Sequence, residues 1–474
     1  MNILPLPLPL PLRAPARRAL LAATIALAGL VTLPAWAEAP RAPDVAKFDP
    51  ATLDPAKTWV GTWGTAPAGP PLPAALQTFT DQTVRLIVHT SIGGSGLRIR
   101  LSNELGSTPL RIGAAHVALR GSGADIVPGS DRALTFGGRP FAVIPAGAPI
   151  LSDPVDLDVA GLADLAISLH LPGTAQATTI HGSAFQVNYA SEPGDHTGAA
   201  SFPIQRTLNS WPFLTGVDVV APGAAAIVAL GDSITDGSVT TTGANRRWPD
   251  LLAQRLQTTR TNAQDVQDAQ GVLETGTPPL VQWNARLGIV NRGIGGNRLL
   301  NDPGTQPLFG KAALARFDRD VLATSGVRHV VLLIGINDIG HPGTGSAPAS
   351  EAPTPEDLMA GYRQVIERAH ARGIAVYGAT LTPFEGTTFA GYYTPAKEAV
   401  RQAVNSWIRS SDAFDGVIDF DQAVRDPDRP ARMLAKYDSG DHLHPNDLGM
   451  QAMANAIPLT LFRGAPAAVA QAKR

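Results

Sequence analysis

The residues best placed to do chemistry fall in four short blocks of the second half of the chain. The first, Gly231-Asp232-Ser233-Ile234-Thr235-Asp236-Gly237, follows the apolar run Ala225–Leu230. A serine at a strand-to-helix turn is exposed and has free backbone N–H groups around it, which suits a nucleophile. The same place equally suits a helix N-cap. The second block, Val290-Asn291-Arg292-Gly293-Ile294-Gly295-Gly296-Asn297, follows Leu287–Val290. Its glycines either let an N–H approach and donate to an oxyanion, or simply turn the chain. The third, Gly335-Ile336-Asn337-Asp338, ends the run Arg328–Ile334. There the Asn337 amide can reach into the same cleft or close a turn.

The fourth block is Asp441-His442-Leu443-His444-Pro445-Asn446, just ahead of the last helix. An aspartate three residues before a histidine can hydrogen-bond the ring and fix its tautomer, leaving the other nitrogen to take a serine proton. Asp441, His442 and His444 could instead ligate a metal, although the sequence offers no further His or carboxylate cluster to complete the set. His442 also reads as an ordinary packed or surface histidine.

The elements that must position these blocks have two textures. Ala225–Leu230, Arg328–Ile334 and Ile374–Thr380 are short continuous apolar runs, as in a parallel sheet covered on both faces. Helical stretches lie between them. Thr354-Pro355-Glu356-Asp357 reads as a helix start; Leu358, Tyr362, Val365, Ile366 and Ala369 form one apolar face, and Gly373 ends the helix. Strands alternating with helices predict an α/β layered domain over 223–465.

Residues 58–222 follow a period of two instead. Leu97, Ile99 and Leu101 alternate with Arg98, Arg100 and Ser102, and Leu165, Ile167, Leu169 and Leu171 with Ala166, Ser168 and His170. Such strands have one apolar and one wet face. With dense glycine turns between them, they predict an all-β, sandwich-like domain ahead of the α/β one. His196 in Gly194-Asp195-His196-Thr197 reads as a surface turn, and the polar stretch from Thr258 to Pro279 as a surface insertion.

Composition narrows the function. The 474 residues contain no cysteine, which removes disulfides, thiol nucleophiles and cysteine-held metals. A net charge of −2 argues against nucleic acid as a partner. At the N-terminus, Arg13, Arg17 and Arg18 precede the apolar run Ala19–Leu33, and Ala35-Trp36-Ala37 offers a small-x-small cleavage site. This predicts a signal peptide over 1–37, a linker over 38–57, and a secreted or periplasmic product with no later membrane span. An uncleaved anchor is the alternative reading of that run.

Taken together, in this order, the four blocks resemble those of the SGNH (GDSL-type) hydrolases. The resemblance implies a parallel sheet flanked by helices, with Ser233 as nucleophile, His444 as general base and Asp441 orienting His444. It implies an oxyanion hole made of the N–H groups of Ser233 and Gly296 and the Asn337 side chain. Gly296 is preferred to its neighbour Gly295 because the family's glycine lies five residues after the strand-end asparagine, here Asn291. The residue after it, Asn297, departs from the family pattern. Secreted bacterial members carry a β-rich domain ahead of the catalytic one, and Trp59-Val60-Gly61-Thr62-Trp63 and Leu101-Ser102-Asn103 look similar to it.

The expected function is therefore a secreted serine esterase needing no metal or organic cofactor. Trp59 and Trp63, read as exposed aromatics, point to an O-acetylated carbohydrate, with a lipid or other short-acyl ester as the alternative. A non-catalytic glycan-binding protein on a hydrolase fold and an O-acetyltransferase are the competing classes.

Overall fold

The computed structural model of the chain describes residues 58–258 and 286–462. The expected signal peptide, the linker, and all but the first residue of the 258–279 insertion lie outside the described residues.

The first half is a sandwich of antiparallel sheets. One sheet orders Trp59–Gly64, Leu214–Val220, Leu97–Ser102 and Pro149–Leu151. The other is built around Thr78–His89 and Asp164–Gln176, which pair from Thr78 opposite Gln176 to His89 opposite Asp164. Leu97, Ile99 and Leu101 face Val84, Leu86, Leu165, Ile167 and Leu169 across a dry core, as their period of two requires. The expected wet face is different. Ala166 and Ser168 are buried as well, because loops wrap the outer side of that sheet around the buried Arg85. Its guanidinium donates to Ser168 Oγ at 2.8 Å and to the carbonyls of Ala124 at 2.9 Å and Ala199 at 2.9 Å. The aromatic reading also needs correction. Trp63 sits in the sandwich core, edge-on to Trp211 at 5.1 Å, and one face of the half-buried Trp59 is covered by Arg98 at 4.5 Å.

The second half is an all-parallel sheet. Its strands lie in the order Arg286–Gly293, Ala224–Gly231, Val327–Leu333, Ala375–Ala379, Gly416–Ile418. Ile227 to Leu230 and Val330 to Ile334 are buried without alternation, so both faces are covered. The helix Pro355–His370 starts on a Thr354 capping box with Asp357 and buries Leu358, Tyr362, Val365, Ile366 and Ala369. Such a cap stabilises a helix by roughly 1 kcal/mol.

The halves meet without a spacer. Ala221-Pro222-Gly223 joins Leu214–Val220 to Ala224–Gly231, and Ser91 Oγ accepts the Ile289 N–H at 2.7 Å. The contact is close enough that a Cβ on Gly288 would lie 2.3 Å from the Gly61 carbonyl oxygen.

Candidate active site

In the parallel sheet the first strand in sequence has the second on one side and the third on the other, so strand order reverses there. A cleft opens at such a point beyond the carboxyl ends of the strands. The first three blocks follow these three strands. Ser233 begins the short helix Ser233–Asp236 directly after Ala224–Gly231. The N-cap is Asp232, whose carboxylate accepts the Ile234 N–H at 3.0 Å, so Ser233 is not needed as a cap.

His444 comes from the loop before the helix Asp447–Ala456, which Asn446 caps. Its Nε2 lies 2.8 Å from Ser233 Oγ, and its Nδ1 lies 2.6 Å from Asp441 Oδ2. Asp441 Oδ1 also accepts the backbone N–H of Leu443 at 2.9 Å and of His444 at 2.5 Å. Burial would raise the Asp441 pKa, but His444 and these two N–H groups outweigh it and hold the carboxyl well below the usual range. The loop is thus locked around an ionised carboxylate that points one ring nitrogen at the serine. His442 is turned elsewhere, paired with Asp438 and half exposed. Among the described residues no three His, Asp or Glu side chains converge where they could hold a metal ion.

The second block forms a tight turn. The Asn297 N–H donates to the Ile294 carbonyl at 3.1 Å, and Gly296 has φ 74°. That left-handed position calls for glycine, and a Cβ there would also strike the Phe309 ring at 2.3 Å. The neighbouring glycines differ in what their N–H groups do. Gly295 donates to Asp236 Oδ2 at 3.2 Å, whereas the Gly296 and Ser233 N–H groups have no partner among the described residues. Both glycines line the pocket beside Ser233.

Asn337 is the second residue of the helix Ile336–Gly340. Its Nδ2 donates to the Asn297 carbonyl at 2.9 Å and its Oδ1 accepts from the Tyr392 hydroxyl at 2.7 Å, which fixes the amide orientation. The second hydrogen on Nδ2 is left for the pocket.

Three side chains that the sequence reading did not single out support this arrangement. Tyr392 orients Asn337. Arg316 is completely buried and donates to the Gly231 carbonyl at 3.0 Å, the Arg292 carbonyl at 2.8 Å and Asn297 Oδ1 at 3.0 Å. It thereby ties two strand ends to the turn that holds Asn337. His181, from the β-rich half, contacts Asp236 at 2.9 Å.

The pocket encloses about 430 Å³ and is walled by Phe309, Phe389, Tyr392, Leu443 and His341, with Ser238, Thr344 and Ser346 adding hydroxyls. Burial, then the charges of Arg298 and Lys397, push the His341 pKa down to about 4, so the ring is neutral at physiological pH. Beneath the site, Asp232 is pushed up to about 7 and Asp338 to about 6, in each case by burial first.

Residues 229–452 match the family of GDSL-like lipases and acylhydrolases. The second half of this chain is a GDSL-like lipase/acylhydrolase domain, and the protein is a carboxylic ester hydrolase. No curated protein matches the chain. It is similar to a GDSL-like lipase from Bacteroides thetaiotaomicron VPI-5482 (18% identity, 50% of this chain and 88% of that one, TM-score 0.32). It is similar also to an alpha/beta hydrolase enzyme from the metagenome of Lake Arreo, Spain (20% identity, 50% and 95%, TM-score 0.33). A third is an acetyl xylan esterase (18% identity, 49% and 96%, TM-score 0.32).

Proposed function

We propose that this esterase works by acyl transfer to water through Ser233, His444 and Asp441, on esters with a short apolar acyl or alcohol group. The observation that carries the reading is the unbroken line of hydrogen bonds from Asp441 through His444 to Ser233. Ser233 Oγ attacks the ester carbonyl while its proton passes to His444 Nε2. Asp441 holds the Nδ1–H and offsets the charge that forms on the ring. The carbonyl oxygen, now negative, takes hydrogen bonds from the Ser233 and Gly296 N–H groups and the remaining Asn337 Nδ2–H. His444 hands its proton to the departing alcohol as the C–O bond breaks, leaving the acyl group on Ser233. A water then gives a proton to His444 and attacks the acyl carbon; as the C–Oγ bond breaks, His444 returns that proton to Ser233 Oγ and the acid is freed. No metal or organic cofactor enters these steps.

The aromatic lining supports an apolar group beside Ser233. The hydroxyls of Ser238, Thr344 and Ser346 favour a second reading, an O-acetylated carbohydrate, which no longer draws on exposed tryptophans. Aryl acetate, butyrate and octanoate beside an acetylated polysaccharide separate the two readings by rate.

Ser233→Ala is expected to lower kcat by roughly 10⁴-fold or more and to abolish covalent labelling by an organophosphonate, with melting temperature unchanged. Activity within a few-fold of wild type would remove Ser233 from the mechanism. The same proposal takes residues 1–37 as an export signal, so N-terminal sequencing of exported protein should begin at Glu38.

A further inference from the structure

Three facts converge on the underside of the Gly295-Gly296 turn. His181 is 2% exposed and belongs to the β-rich half, in the short strand Ile180–His181. Its Nδ1 lies 2.9 Å from the Ala66 carbonyl oxygen and its Nε2 lies 2.9 Å from Asp236 Oδ1. Asp236 is the last residue of the helix that Ser233 begins, and its other oxygen accepts the Gly295 N–H.

A carbonyl oxygen only accepts, so Nδ1 carries a hydrogen, and Nε2 shares one with Asp236 Oδ1; with both on the ring it is an imidazolium. Burial alone would discharge it. Asp236 and the Ala66 carbonyl outweigh burial and the nearby Arg247, and the His181 pKa is raised. Arg247 completes the fixing of Asp236. Its Nε donates to the Asp236 backbone carbonyl at 2.7 Å, and it also bonds the Ala184 carbonyl of the β-rich half. Ile294, at the start of the turn, packs on Ala66 and Ala68.

We infer that His181 and Asp236 are a positioning pair for the oxyanion hole, through which the β-rich half holds the Gly296 N–H in line with that of Ser233. The geometry explains why one carboxylate must reach both ways. Gly295 and Gly296 are the two central residues of the turn, and only the second is left-handed. The direction of the peptide N–H between them is therefore set by how the first is held. Anchoring the Gly295 N–H on Asp236 fixes the peptide just before it, from which the Gly295–Gly296 peptide is set, relative to the helix carrying Ser233. His181 then stops the Asp236 side chain from rotating away. Neither residue touches substrate.

This inference rests on the oxyanion role proposed above for Gly296, and its test is arranged to keep the two apart. Asp236→Ala should lower kcat by about 10–100-fold with KM within about twofold, because misplaced donors weaken the transition state more than the ground state. Binding of a boronic acid that mimics the tetrahedral adduct should weaken by the same factor. Asp236→Asn should retain kcat within about threefold: its Oδ1 still accepts from Gly295, and its Nδ2 can donate to a neutral His181. His181→Gln, with Asp236 in place, should give a loss between the two. A folded Asp236→Ala with wild-type kcat overturns the inference, as does an Asp236→Asn no better than Asp236→Ala. Should Asp236→Ala not fold, equal kcat and boronate affinity in wild type and His181→Gln overturn it. An active Ser233→Ala would sink the esterase mechanism itself, a result these variants cannot mimic.

Discussion

Of the histidine–aspartate pairs among the described residues, His444–Asp441 lies at the pocket and His181–Asp236 beneath it, and they differ in what the second ring nitrogen meets. His444 holds Asp441 with Nδ1 and turns Nε2 to Ser233, a partner that can give up a proton. His181 holds Asp236 with Nε2 and turns Nδ1 to the Ala66 carbonyl, which can only accept. The first ring can gain and lose a proton during a reaction. The second has both nitrogens engaged and is sealed from solvent, so it is placed to hold position. On the mechanism proposed above, the same residue pair serves as a base or a brace according to what stands on its far side, with the base in the α/β half and the brace in the β-rich half.

The strongest way to break this comparison is at the base. His444→Ala should lower kcat by about 10⁴-fold or more, whereas His442→Ala, two residues away on the same loop, should stay within about twofold of wild type. Steady-state rates of the two purified variants decide it. A reversed pair of results would make His442 the base and leave His444 as packing.

The next largest effect concerns the oxyanion donors. Asn337→Ala removes a donor and should lower kcat by about 10²–10³-fold with KM little changed. Tyr392→Phe leaves the donor but releases the amide oxygen that the hydroxyl holds, and should lower kcat by about tenfold or less. If Asn337→Ala melts far earlier yet keeps kcat per folded molecule, Asn337 is scaffolding for the Ile336–Gly340 helix and not a donor.

How much of this was legible in the sequence depends on distance along the chain. Ser233, Asn337 and the Asp441–His444 loop sit in strand–turn–helix or loop blocks whose geometry is local, so apolar runs and punctuation located them. Apolar runs likewise marked the first four strands of the parallel sheet, while Gly416–Ile418, with three residues, is too short to show a period. The braces were invisible for the opposite reason. Tyr392 reaches Asn337 across 55 positions, His181 reaches Asp236 across 55 and Arg316 reaches Gly231 across 85. A lone Tyr, His or Arg at such separation leaves no pattern. The buried outer face of the β-rich sheet was missed similarly, because the cover comes from loops that turn on Arg85 and not from a strand with a period of its own.

The smallest expected effect extends the comparison from histidines to carboxylates, and is read in stability. Asp441 has His444 and two backbone N–H groups and stays ionised, but the equally central Asp232 has only the Ile234 N–H on one oxygen, and its other oxygen is buried without a partner. Burial first, and then the charge of Asp338, push the Asp232 pKa up to about 7. In the unfolded chain it lies near ~4. Between those values the native state holds a proton that the unfolded state has lost, so stability falls as pH rises through the window, by on the order of a few kcal/mol. Asp232→Asn keeps an acceptor for Ile234 and puts a permanently neutral group in the same space. Its melting temperature should match wild type near pH 4 and rise above it by a few degrees as pH approaches 7. Parallel melting curves for the two proteins across that range would mean that Asp232 is ionised in place, and the contrast with Asp441 would fail.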